Sequence, residues 1–144
     1  MSNTKEKDDF QNLYTKFINN LELKEIYLKS ANISYLERPN LKTPTLVKIK
    51  DSARLELLSK NKFKVYKKYN LEVKQKEGEE QTYLRITCEF VVLYYSEIVP
   101  GDKIFKQFKN STLRLNTWPY FREFAHNTIA RMNLPPMITP LLKT

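Results

Sequence analysis

Glycine is almost missing from this sequence, with two residues in 144. That scarcity removes the phosphate loops and nucleophile turns written GxGxxG, GxxxxGK and GxSxG, which need residues without a Cβ where the backbone bends sharply against a ligand. The single cysteine, Cys88, cannot form an internal disulfide. One histidine, His126, beside one cysteine supplies neither a multi-ligand metal set nor an obvious nucleophile and base. The chain therefore reads as a non-enzyme with no cofactor. No apolar run is long enough to span a bilayer, and the opening MSNTKEKDDF lacks the apolar core of a signal peptide. A cytoplasmic protein without membrane insertion is the expectation.

What is present is the composition of a folded domain: 41% hydrophobic and 28% charged residues, in a length that suits a single core. Residues 1–144 are read as one domain, with 1–20 as an N-terminal extension. Lys and Arg number 25 against 16 Asp and Glu, a formal charge of +9. Such an excess attracts nucleic acid, acidic membrane or acidic protein, and it also arises from a simple lysine-rich surface, so charge alone assigns no function. The carboxylate pairs Asp8/Asp9 and Glu79/Glu80 fall at a helix start and in a turn, where solvated charge explains them.

Phe10, Leu13, Tyr14, Phe17, Ile18 and Leu21 recur at three- and four-residue steps and predict an amphipathic helix over 8–21. Residues 21–36 alternate imperfectly, as a bulged or bending strand does. Residues 38–46, with two prolines, read as a loop, and 48–61 is too charged to assign. A strand follows from Phe63, its inward face Phe63, Val65, Tyr69, Leu71 and Val73, with Lys67 as the misfit. A turn at 76–80 leads to a strand over 82–97 with Leu84, Ile86, Cys88, Phe90, Val92 and Tyr94 inward. Its other face becomes apolar at Val91, Leu93 and Tyr95, so both sides need cover there. A short helix around 104–110 and a long one over 117–132 complete the chain, the latter beginning at Asn116 or Thr117 with Pro119 in its first turn. The order predicts an α+β fold, an antiparallel sheet with helices gathered on one face.

Lys64, Tyr66, Lys67, Lys68 and Tyr69 interleave cations with aromatics, as single-stranded nucleic-acid binders do; a lysine-protected strand edge is the alternative.

The run WPYFREFAHNTIARMNLPP resembles the signature of the SecB and SecB-like chaperones, in which a Pro-Tyr-x-Arg-Glu helix start leads to a Leu-Pro-Pro segment. Pro119, Tyr120, Arg122, Glu123, Leu134 and Pro136 match it. Upstream, Leu21, Leu23, Ile26, Tyr27 and Lys29 follow the rhythm of the family's first strand, so the resemblance spans residues 21–136. It implies about four antiparallel strands under a long C-terminal helix, a homo-oligomer of two or four copies, and a holdase that keeps unfolded polypeptides or preproteins in apolar grooves, with protein export or one dedicated partner such as an antitoxin as its setting.

Tyr94, Tyr95, Phe105, Phe108, Met137, Ile138 and Leu141 are the groove candidates under this resemblance, and Ile86, Cys88, Phe90, Trp118, Phe121 and Ile129 the candidates for subunit contact. Members that hand clients to SecA present acidic residues on the outer sheet face, where the aligned positions here read Ser30, Ser34 and Thr87. The sequence also stops eight residues after Pro136, short of the family's second helix and acidic tail. Both departures argue against SecA as a partner.

Overall fold

The structure, a computed structural model, describes residues 2–36, 45–75 and 81–134. Helix α1 (Ser2–Asn20) leads into strand β1 (Glu22–Tyr35). Strands β2 (Thr45–Ser59), β3 (Lys62–Gln75) and β4 (Gln81–Tyr95) follow, then helices α2 (Asp102–Lys109) and α3 (Thr112–Arg131). The four strands form one antiparallel sheet in the order β1-β4-β3-β2, which leaves β1 and β2 as its edges. The loop expected at 38–46 and the turn at 76–80 lie largely outside the described residues, though Thr45 and Leu46 already belong to β2.

Strand β2 occupies the stretch too charged to assign from sequence. Its inward row, Val47, Ile49, Asp51, Ala53 and Leu55, keeps the period of two, and Asp51 alone disguises it. Lys67, the misfit of β3, solves the same problem from the other side. Its side chain is 3% exposed and its Nζ donates to Asp51 Oδ2 at 2.6 Å, while Arg114 Nη2, from the first turn of α3, donates to the same oxygen at 3.1 Å.

Strand β1 owes its imperfect alternation to register shifts between Leu23 and Glu25 and between Leu28 and Ser30. Lys24 and Lys29 are the extra residues, and each shift returns the apolar set Leu23, Ile26, Leu28, Ile33 and Tyr35 to the face that bears the β4 core residues. The expected face of α1 packs down at Phe17 and partly at Phe10, Tyr14, Ile18 and Leu21, whereas Leu13 stays exposed.

All three helices cover one face of the sheet. Toward one end, Phe17 of α1, Ile104 and Phe108 of α2 and Leu113 of α3 enclose Phe63, Val65, Val92 and Tyr94. Here the ring of Phe108 meets Phe17 edge-on at 5.6 Å and Tyr94 at 5.2 Å, an arrangement favoured by aromatic quadrupoles. Toward the other end, Trp118, Phe121, Ala125 and Ile129 of α3 cover Tyr69, Leu71, Ile86, Cys88 and Phe90. Tyr69 stacks on Phe121 with ring centroids 4.7 Å apart.

Helix α3 begins at Thr112, a turn earlier than expected, so Pro119 sits inside it rather than at its start. The cap signal at Asn116 and Thr117 is overridden because Leu113 and Thr117 are both buried against the sheet. The Thr117 hydroxyl donates to the Leu113 carbonyl at 2.9 Å and lies 2.8 Å from the Tyr69 hydroxyl, so its polar group is satisfied inside the helix. Pro119 has no N–H to offer the carbonyl of Leu115 one turn back, and its ring crowds that oxygen, a standard cause of bending.

Burial raises the Asp51 carboxyl, but the hydrogen bonds and charges of Lys67 and Arg114 outweigh it and hold the group below its usual range. For Lys67 burial is the dominant influence and lowers the ammonium despite Asp51. Replacing Asp51 by Ala strands that ammonium and should cost about 3 kcal/mol in urea unfolding at pH 7, whereas Lys67→Met should fall within about 1 kcal/mol of wild type. Because the folded pKa of Asp51 is depressed, its contribution is complete above about pH 4 and disappears as pH falls through the folded value. The urea midpoints of wild type and Asp51→Ala should accordingly converge in acid.

Cys88 is fully buried and desolvation pushes its thiol up to about 12. A disulfide reagent at pH 8 should label it only at the rate of unfolding; fast labelling of the native protein would contradict this packing.

Candidate functional site

The helical layer does not reach across the whole sheet. Along β1 the inward row remains open, with Leu28 40%, Ile33 43% and Tyr35 39% exposed. A monomeric domain normally buries such a row or charges it, and residues 30–36 of this edge carry no charge. Between that row and α3 runs a cleft of about 380 Å³. Its strand side is Ile26, Tyr27, Leu28 and Phe90, its helix side Tyr120, Phe124, Asn127 and Thr128, with Glu123 and Arg131 also lining it. The Tyr120 ring, 48% exposed, stands 6.5 Å from that of Phe90.

The chemistry available there is recognition. The outer edge of β1 has no strand beside it among the described residues, so an extended peptide could pair with its backbone while alternate side chains enter the cleft. No group of three or more His, Cys, Asp or Glu is placed to hold a metal ion among the described residues.

The sequence-derived candidates are distributed differently. Tyr94 and Phe108 are enclosed beneath α1, and the Tyr94 hydroxyl donates to Asn116 Oδ1 at 2.9 Å, so neither presents surface to a client. Phe105 is half-buried beside the same cluster, and Tyr95 lies on the opposite sheet face. Met137, Ile138 and Leu141, like Pro136 of the motif, lie outside the described residues. Ile86, Cys88, Phe90, Trp118, Phe121 and Ile129 are all in the core of the single chain. Helix packing on the sheet already uses the surface that subunit contact would require. Leu28, Ile33 and Tyr35 escaped sequence reading because periodicity marks an inward face without saying which strand is an edge. Phe124 did leave a trace, since with Trp118, Phe121, Ala125, Ile129 and Met132 it makes an apolar stripe broader than the sheet beneath needs, while Tyr120 falls beside that stripe.

The interleaved cation and aromatic run of β3 is divided between two faces. Lys67 and Tyr69 point into the core, while Lys64, Tyr66 and Lys68 point out. The Tyr66 ring is itself covered, with Arg54 3.8 Å and Lys29 5.0 Å from its centroid, and its hydroxyl donates to Glu56 at 2.6 Å. Ser30, Ser34 and Thr87 lie on this same outward face, and Thr87 donates to Asn70.

No family model and no curated protein matches the sequence. Among solved structures, a SecB-like chaperone of Mycobacterium tuberculosis, in complex with a ChAD peptide from the HigA1 antitoxin, superposes with a TM-score of 0.80 at 16% identity, covering 92% of this chain and 98% of its own. A protein of unknown function from Streptococcus agalactiae matches with a TM-score of 0.51 at 9% identity, over 84% of this chain and 97% of that one. At such identities the likeness speaks for architecture, and it agrees with the four-stranded antiparallel sheet and the long C-terminal helix. The chain has the SecB-like chaperone fold.

Proposed function

We propose that this chain is a chaperone that holds extended segments of other polypeptides along β1, in the cleft between that strand and α3. The observation that carries the reading is an open apolar row on an edge strand that is uncharged over residues 30–36 and flanks a cleft against α3. Unfolded chains expose apolar side chains and unpaired backbone, and a sequence-tolerant receptor needs extended apolar surface and a few backbone bonds, with no chemistry. Ile26, Leu28, Ile33, Tyr120 and Phe124 are the contact residues in this reading, replacing Tyr94 and Phe108.

One observation favours service to a dedicated client over general export. The Mycobacterium tuberculosis structure of the same fold holds a peptide from an antitoxin. Here, in addition, the positions Ser30, Ser34 and Thr87 on the outer face give an acid-reading motor such as SecA nothing to bind. A dedicated chaperone binds one partner strongly and generic unfolded proteins weakly, so affinities across several unfolded clients separate the two.

At near-stoichiometric ratio the protein should suppress aggregation of a chemically unfolded client. The double variant Leu28→Asp/Ile33→Asp should lose about tenfold or more in client affinity while unfolding cooperatively, since both positions are already part-exposed. Full activity in that variant would refute the assignment of the cleft. Light scattering on both proteins reports whether a dimer or tetramer forms and whether a second copy occupies β1 in its place.

A further inference from the structure

The face of the sheet turned away from the helices has its own composition. Across its middle run Tyr27, Val91 and Tyr66 in register, and Val91 is only 1% exposed although no helix of the described residues lies on that side. Around this apolar row stand Lys50, Arg54, Lys62, Lys64 and Lys68, with Lys24 and Lys29 added by the two bulges of β1. The acids on the face are mostly engaged. Glu22 pairs with Lys24, Glu89 with Lys29 and Glu72 with Arg85, while Glu56 accepts from Tyr66. Lys50, Lys64 and Lys68 have no ion-pair partner among the described residues, and neither does Glu25, the remaining acid.

We propose that this outward face docks an acidic polypeptide segment of a partner protein, its carboxylates against Lys50, Lys64 and Lys68. Complementary charge selects the partner and speeds its arrival. Single-stranded nucleic acid fits less well, because stacking needs open ring faces in a groove that tracks the backbone. Arg54 and Lys29 cover Tyr66, and Lys24 and Lys62 stand 5.4 and 5.1 Å from the ring centroid of Tyr95. The lysines of this surface lie away from the client cleft, so they offer a second contact, through which a chaperone could be brought to the protein that receives its client.

The test uses a fluorescently labelled polyglutamate peptide, an oligothymidylate of equal length, and anisotropy as the readout. Wild type should bind the peptide in a salt-sensitive manner, and Lys64→Glu/Lys68→Glu should weaken binding about tenfold or more. Lys50→Glu, on an exposed edge position, provides the same comparison should the double variant fold poorly, and a urea midpoint checks each. Leu28→Asp/Ile33→Asp should leave peptide affinity unchanged, which separates this face from the client cleft. The proposal is overturned if wild type does not bind the peptide, if charge reversal leaves affinity unaltered, or if the oligothymidylate binds more tightly and is lost in the same variants.

Discussion

Lys67 enters the layer between sheet and helices, where an unpaired ammonium would cost several kcal/mol, and its position is tenable only because Asp51 meets it, with Arg114 holding that carboxylate ionised. The three residues come from β3, β2 and α3, so the carboxylate shared by two cations ties an edge strand and the long helix to the centre of the sheet. An apolar side chain at 67 would pack there without specifying which neighbour belongs beside it. The ionic solution fixes β2 in register, with Ala53 opposite Lys67 and Asp51 opposite Tyr69, and brings the first turn of α3 over it. With that turn anchored, Thr117 reaches Tyr69 and the stripe from Trp118 to Ile129 falls on the inward rows of β3 and β4.

Placing the helices there decides what stays uncovered. They close over β3 and β4 and leave the inward row of β1 beside an open cleft, while the other face has no helical cover among the described residues. The two surfaces differ in chemistry as well as position. One is a strand edge, uncharged over residues 30–36, with aromatic and aliphatic side chains at hand; the other is a cationic field around a narrow apolar row. The bulges of β1 serve both, since the same inserted lysines that keep Leu23, Ile26 and Leu28 on the inward side send their charges to the outer one.

Much of the fold was legible in the sequence. Strict alternation marks β3 and β4 correctly because burial on one face of a sheet demands it, and the three- and four-residue spacing of Phe10, Tyr14 and Phe17 gives α1. Strand β2 was hidden by Asp51, a charge whose partner lies sixteen residues away and is invisible to any local pattern. The start of α3 was misplaced for a related reason. Asn116, Thr117 and Pro119 imitate a helix N-terminus, and only burial of Leu113 and Thr117 against the sheet extends the helix past them.

By itself the sequence determined that the chain is an α+β domain of antiparallel strands and amphipathic helices, and it offered little material for catalysis, because residue types and periodicity are local properties. Its motif, from Pro119 to Leu134, pointed to the SecB-like architecture for the same reason. The tertiary structure alone decided which strands are edges, which aromatics are enclosed and which remain open, because exposure depends on what packs opposite. Tyr94 and Phe108 look as available in sequence as Tyr120 and Phe124, and the seat of Phe17 on Phe108 and Phe63 is what withdraws them from the surface.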